Sequence, residues 1–193
     1  MASRGEFSSV NEVIVFLRFL GVINVAVWLG TGVFFTFVVW PAFASDAMLG
    51  IFARFGRAAG EAYGTAAFLE LLDRYFLVQA VCASVALFHL AVEWLYTGKP
   101  VRKSTLGLIG GLLAMGALGY YVFQPKMKEN HVIRYNYANP AADRETAKDA
   151  YAIVRGVTQV LNILMIVGTG VYAWRVSRSN PAPRFSSPAR FNG

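Results

Sequence analysis

The sequence predicts an all-α fold: an integral membrane four-helix bundle with an additional amphipathic interfacial helix. Three observations predict it. Of the 193 residues, 56% are hydrophobic and 15% aromatic, with a mean hydropathy of +0.46, where a soluble domain would be about 45–50% apolar. The apolar residues fall in four blocks, each near the roughly 20 residues that a helix needs to cross a bilayer. Polar residues inside those blocks recur on one helix face. In the stretch 75–96, YFLVQAVCASVALFHLAVEWLY, His89 and Glu93 are four apart and share a face with Gln79, Cys82 and Ala86. Ionisable groups cost several kcal/mol in hydrocarbon, on the order of 2.5–3.5 on insertion scales, so this face must turn into a bundle.

Residues 1–12 form a short polar cytoplasmic N-terminus, with Ser8 or Ser9 suited to cap the first helix. The first span covers 13–39. It is far longer than the apolar core of a signal peptide, about 7–15 residues, so the Ala42-Phe43-Ala44 site after it is read as uncleaved and the span as retained. Arg18 lies near its start and Asn24 near its middle, and Trp40-Pro41 should close it at the interface. Over 45–62, Gly50, Arg54, Arg57 and Glu61 make one polar stripe opposite Met48, Ile51, Phe52, Phe55 and Ala59. That pattern fits a helix lying among headgroups and equally a loop helix packed on the bundle.

The second span covers 75–97, followed by the basic turn Lys99-Pro100-Val101-Arg102-Lys103. The third covers 105–123 and should stop at Pro125. Its Gly107 and Gly111 form a GxxxG pair, the spacing that lets helices pack closely. The loop 124–150 is hydrophilic. Asn139-Pro140 reads as the cap and first residue of one long helix that runs on through the fourth span, 152–174. The membrane domain is thus 13–176, and 177–193, rich in Ser, Pro and Arg, is expected to be a disordered cytoplasmic tail.

The net charge of +7 does not point to nucleic acid, because the bases cluster at span ends. The two ends and the 98–104 turn carry eight Lys/Arg against two acids, whereas the loops 43–74 and 125–151 carry eight of each over more residues. Base density therefore puts both termini in the cytoplasm, in a multi-pass protein of the plasma (inner) membrane.

The sequence holds no Ser-His-Asp set, phosphate-binding glycine loop, CxxC or HExxH. Cys82 is the one cysteine, which excludes an internal disulfide and a Cys-rich metal site. His89 and His131 fall on opposite sides of the membrane, so they cannot ligate one haem. His89 and Glu93 have metal-ligand spacing without a third ligand at their depth. No catalytic residue, metal or cofactor is assigned. The candidate polar interior consists of Arg18, Asn24, Gln79, His89, Glu93, Arg155, Gln159 and Asn162, the last three at i, i+4 and i+7 on the fourth span. Asn162 should hydrogen-bond across helices near the midplane, and Arg155 should lie at the outer mouth beside Glu70 or Asp73.

Arg155-Gly156-x-Thr158-x-x-x-Asn162 resembles the histidine-glycine-x-serine-x-x-x-asparagine signature of the transmembrane protein 205 family, with arginine at the histidine position. Val27-Trp28-Leu29-Gly30, Phe34-Phe35, Pro41 and Phe123-Gln124-Pro125-Lys126-Met127 resemble other landmarks of that family, over roughly residues 13–175. The resemblance implies a four-span membrane domain and supplies no reaction. Three functions follow as expectations. The first is a non-enzymatic accessory or assembly subunit, bound in the bilayer to a membrane-protein partner or to its own copies through small-residue helix faces. The second is a small carrier or proton-linked transporter using Arg18, His89 and Glu93. The third, with least support, is a membrane redox or lipid enzyme.

Overall fold

In a computed structural model of the protein, residues 4–97 and 102–178 are described, and among them there is no strand. The main helices are α1 (Arg4–Phe34), α2 (Asp46–Phe52), α3 (Arg57–Thr97), α4 (Lys103–Leu118), α5 (Gln124–Tyr135) and α6 (Ala141–Arg178), with a three-residue helical turn, Trp40–Ala42, closing the first span. Four helical segments are long and apolar enough to cross a membrane: Phe19–Ala42, Ala59–Leu95, Lys103–Tyr135 and Ala141–Ser177. The protein is a multi-pass, all-helical membrane protein. The side chain of Arg18, the turn 98–101 and the expected tail from 179 lie outside the described residues.

The helices outrun the apolar blocks. Helix α1 begins at Arg4, upstream of the expected caps Ser8 and Ser9. The helix expected over 45–62 is two pieces. Ser45 caps α2 by accepting from the Met48 amide at 3.3 Å, a short 3-10 turn, Ala53–Phe55, follows, and the chain then bends at Gly56, whose φ is +96°. Only glycine adopts that angle without strain, so the amphipathic stripe is broken there and its second half joins α3. Piece α2 is packed on α3: a Cβ on Gly60 would stand 2.7 Å from the Phe52 carbonyl.

Pro125 does not end the third span. Proline removes one N–H and collides with the carbonyl four residues back, which normally stops or kinks a helix. Here a π segment, Gly119–Phe123, precedes it and the helix continues into α5. The same device, Phe35–Val39, precedes Pro41 at the end of α1. The wider turn gives the proline ring room while keeping the backbone paired. Only 136–140 separates α5 from α6, so most of the expected loop 124–150 is helical.

Helix α1 packs on α3 and α6, and α4 packs on the same two, so the circular order is α1, α3, α4, α6. Neighbours run antiparallel, and the start of α1 and the end of α6 lie at one end. Gly21 meets His89 at that end, and Arg175 reaches Ser104 at 3.2 Å. The core has two clusters. One gathers Val25, Trp28, Cys82, Ala86, Ile109, Leu112, Met165 and Tyr172 toward that end. The other gathers Phe35, Trp40, Phe68, Leu72, Tyr75, Phe76, Met127 and Tyr151 toward the opposite end. Phe88, Leu95, Ile153 and Val160 stand outward, where lipid rather than water meets them.

Candidate functional site: a polar seam through the bundle

The polar groups meet where the two core clusters join. Helix α3 buries Gln79, Cys82, Ala86 and His89 on one face and turns Leu77, Val81, Val85 and Leu95 outward, the i, i+3/i+4 periodicity of an amphipathic helix inverted for lipid. Asn162 on α6 is buried. Its Nδ2 donates to Thr36 Oγ1 on the first span, and its Oδ1 accepts from the Tyr75 hydroxyl on α3. One amide therefore bridges three helices, and the Tyr75 bond crosses the bundle between α3 and α6, which are not neighbours in the circular order. One turn along α3, Gln79 Oε1 accepts from Trp28 Nε1. Asn24 donates to the Cys82 carbonyl at 2.9 Å.

The ring of Tyr75 is held from the other side. Phe35 stacks on it at 4.3 Å between centroids and 15° between planes. Gly32 makes room for Ile166: a Cβ there would be 3.2 Å from its Cγ1 and in ordinary contact, 3.8 Å, with the Tyr75 oxygen. The space bounded by Trp28, Gly32, Tyr75, Gln79, Met165 and Ile166 is too small for a water molecule. Hydrogen bonds here are shielded from competing solvent, so each lost partner strands a buried polar group.

The other predicted residues lie apart from this junction. His89 is buried against Gly21, with ring atoms 3.1 Å from a would-be Cβ, and its Nδ1 has no hydrogen-bond partner among the described residues. Glu93 is half-buried one turn further. Gln159 is half-buried, while its neighbour Thr158 is the buried member, bonded to the Val154 carbonyl at 2.8 Å. Gly107 and Gly111 pack against nothing inside the bundle: no atom lies within 4 Å of a Cβ on either. They sit on the outward side of α4, because Ile109 and Leu112 take the inward positions. Among the described residues no group of three or more His, Cys, Asp or Glu is placed to hold a metal ion.

Arg155 lies level with Trp40 and not beside the expected acids. Glu70 pairs with Arg74 at 3.1 Å, and Asp73 accepts from Gln124 at 2.7 Å and pairs with Lys128 at 3.4 Å. Those partners are nearer in sequence or on the facing turn of α5, and they take both carboxylates. The Arg155 guanidinium instead covers the rings of Trp40 at 5.2 Å and Phe68 at 5.4 Å.

Trp28, Thr36 and Tyr75 complete the seam and were not among the candidate interior residues read from the sequence. Their signal would have been the i, i+4, i+8 row Trp28, Gly32, Thr36 on the first span.

A family model described as a domain of unknown function, DUF4149, matches residues 23–136. That segment runs from mid-α1 to the end of α5 and stops before α6. No curated protein matches the chain. No solved structure matches it either.

Proposed function

The chain belongs to the DUF4149 family, and from that premise we propose that it is a non-enzymatic accessory or assembly subunit, seating a transmembrane helix of another membrane protein on the outward face of α4. One observation carries this reading. Gly107, Gly110 and Gly111 lie together on that face with open space above each, bordered by Leu106, Leu113 and Leu118. Facing lipid, each glycine costs helix stability, about 1 kcal/mol against alanine, and gains no packing. Facing a second helix, the same surface admits close backbone approach, the main source of helix association in a bilayer. The packed interior supports the reading too, since Tyr75 and Asn162 bond to each other, Asn162 to Thr36 and Gln79 to Trp28, and the space between them has no room for a solute.

The test is purification in a gentle detergent beside a Gly107→Leu/Gly111→Leu variant, with a cysteine at position 110 for cross-linking. A stoichiometric partner that cross-links from 110 and is lost in the double variant, at unchanged thermal stability, supports the proposal. A partner retained by the variant, or a chain that is monodisperse alone, counts against it. A cross-link between two copies of the chain would make the partner a second copy.

A second reading, a small carrier or proton-linked transporter using Arg18, His89 and Glu93, is favoured by one observation, the buried Nδ1 of His89, which has no partner among the described residues. Proton flux in proteoliposomes that disappears in His89→Gln would favour it over the first. The finer resemblance, to the transmembrane protein 205 family, rests chiefly on the Arg155 to Asn162 motif of α6. We carry it as a proposal, together with a plasma-membrane location and cytoplasmic termini.

A further inference from the structure

We propose that Arg155 is an oxyanion site, and that its ligand is the phosphate group of a phospholipid seated beside the Trp40 and Phe68 rings. The geometry is unusual for a cation in an apolar span. Arg155 is half-buried, and its guanidinium lies over two rings that are themselves buried, Trp40 and Phe68. Those rings are fixed in turn: Trp40 meets Phe68 edge-on at 5.1 Å, Phe35 packs on both, and Phe43 covers Phe68 at 5.9 Å. The cation therefore rests on a rigid aromatic floor rather than on a mobile stem.

A ring satisfies the face of a guanidinium and leaves its edge. The N–H donors of arginine point outward in its plane, in a fork matched to two oxygens of a carboxylate or phosphate. Among the described residues no carboxylate pairs with Arg155; the ion pairs formed are Arg74–Glu70, Lys128–Asp73, Arg134–Glu61 and Lys148–Glu145. Nor does it donate a hydrogen bond to any described side chain or carbonyl. Its level in the bundle is that of Trp40, two residues before the end of the first apolar span at Ala42, where the hydrocarbon core gives way to headgroups. What a bilayer presents there, to a planar cation with an open edge, is a phosphate oxygen pair. Free phosphate offers the same chemistry, and the test separates the two.

The purified chain in detergent is titrated with phosphatidylglycerol, with diacylglycerol and with inorganic phosphate, and bound species are counted by native mass spectrometry. Phosphatidylglycerol should bind, and Arg155→Gln should weaken it about fivefold or more, the worth of one basic residue at a lipid surface. Competition by millimolar inorganic phosphate alone would support the oxyanion site with free phosphate as its source. Retention without such competition would assign it to the lipid. Equal binding by Arg155→Gln at unchanged melting temperature, or diacylglycerol binding as tightly as phosphatidylglycerol, overturns the proposal. Should Arg155→Gln not fold, Arg155→Lys decides: it keeps the charge and loses the planar fork, so undiminished affinity there overturns it equally.

Discussion

Asn162 bonds to two helices through one amide, so replacing it strands two groups at once. Asn162→Leu leaves the Tyr75 hydroxyl and Thr36 without their partner, in a space that water cannot enter. Interhelical bonds in membranes average about 0.6 kcal/mol and reach about 1.7. A cycle of Asn162→Leu, Tyr75→Phe and the double variant, read by unfolding in detergent, should show a coupling in that range. Strictly additive losses would remove the Tyr75 bond from the account of the seam. At this scale the sequence was half legible. Asn162 and Gln79 stand out as amides in hydrocarbon, because lipid offers them no partner. Their partners do not stand out, since Trp, Tyr and Thr are ordinary in apolar spans and only their azimuth makes them partners. The same gap misplaced Arg155. Sequence fixes depth along a helix, whereas the choice between Asp73 and the Trp40 ring depends on rotation about it.

At the scale of the element, glycines of similar appearance behave oppositely. A Cβ on Gly119 would sit 2.2 Å from Phe76 Cε1, whereas Gly107 has open space. Gly119→Ala should therefore destabilise the isolated chain by about 1–3 kcal/mol through overpacking, and Phe76→Leu should relieve much of that. Gly107→Ala should be neutral or gain up to about 1 kcal/mol from helix propensity. Equal melting temperatures for the two alanine variants would show that α4 is rotated from the orientation described. Gly56 gives a third case. Its φ of +96° with ψ of 142° lies in a region open essentially to glycine alone, so Gly56→Ala should cost about 1–3 kcal/mol, detected as looser protection of α2 from hydrogen exchange. The helical spans were readable from apolar run length, and so was the long helix after Pro140. The prolines misled the reading: Pro125 marks a stop in sequence, but the π turn before it absorbs the missing bond, and no local pattern announces a π turn.

For the molecule as a whole, base density proposes that both ends are cytoplasmic. A cysteine at position 101 should resist an impermeant thiol reagent in intact cells, and one at 136 should react; the reverse labelling would invert the bilayer about the bundle. The bundle had to be all-helical and four-fold on composition alone, but the order of its helices around the axis was not legible, because four apolar rods pack in more than one circuit. Here the crossing bonds have a consequence of their own. Four antiparallel rods joined by connections can wind clockwise or anticlockwise, and greasy contacts with lipid-like neighbours barely distinguish the two. Along the first span, Trp28 on α1 points to α3, and Thr36, in the π segment that continues α1, points to α6, so the two lie on different bearings about the axis. In the mirror circuit α3 and α6 would exchange places about α1, so Trp28 would face Asn162 and Thr36 would face Gln79, at the wrong depths for either to bond. The angle between two polar residues on one span thus encodes the chirality of the entire assembly.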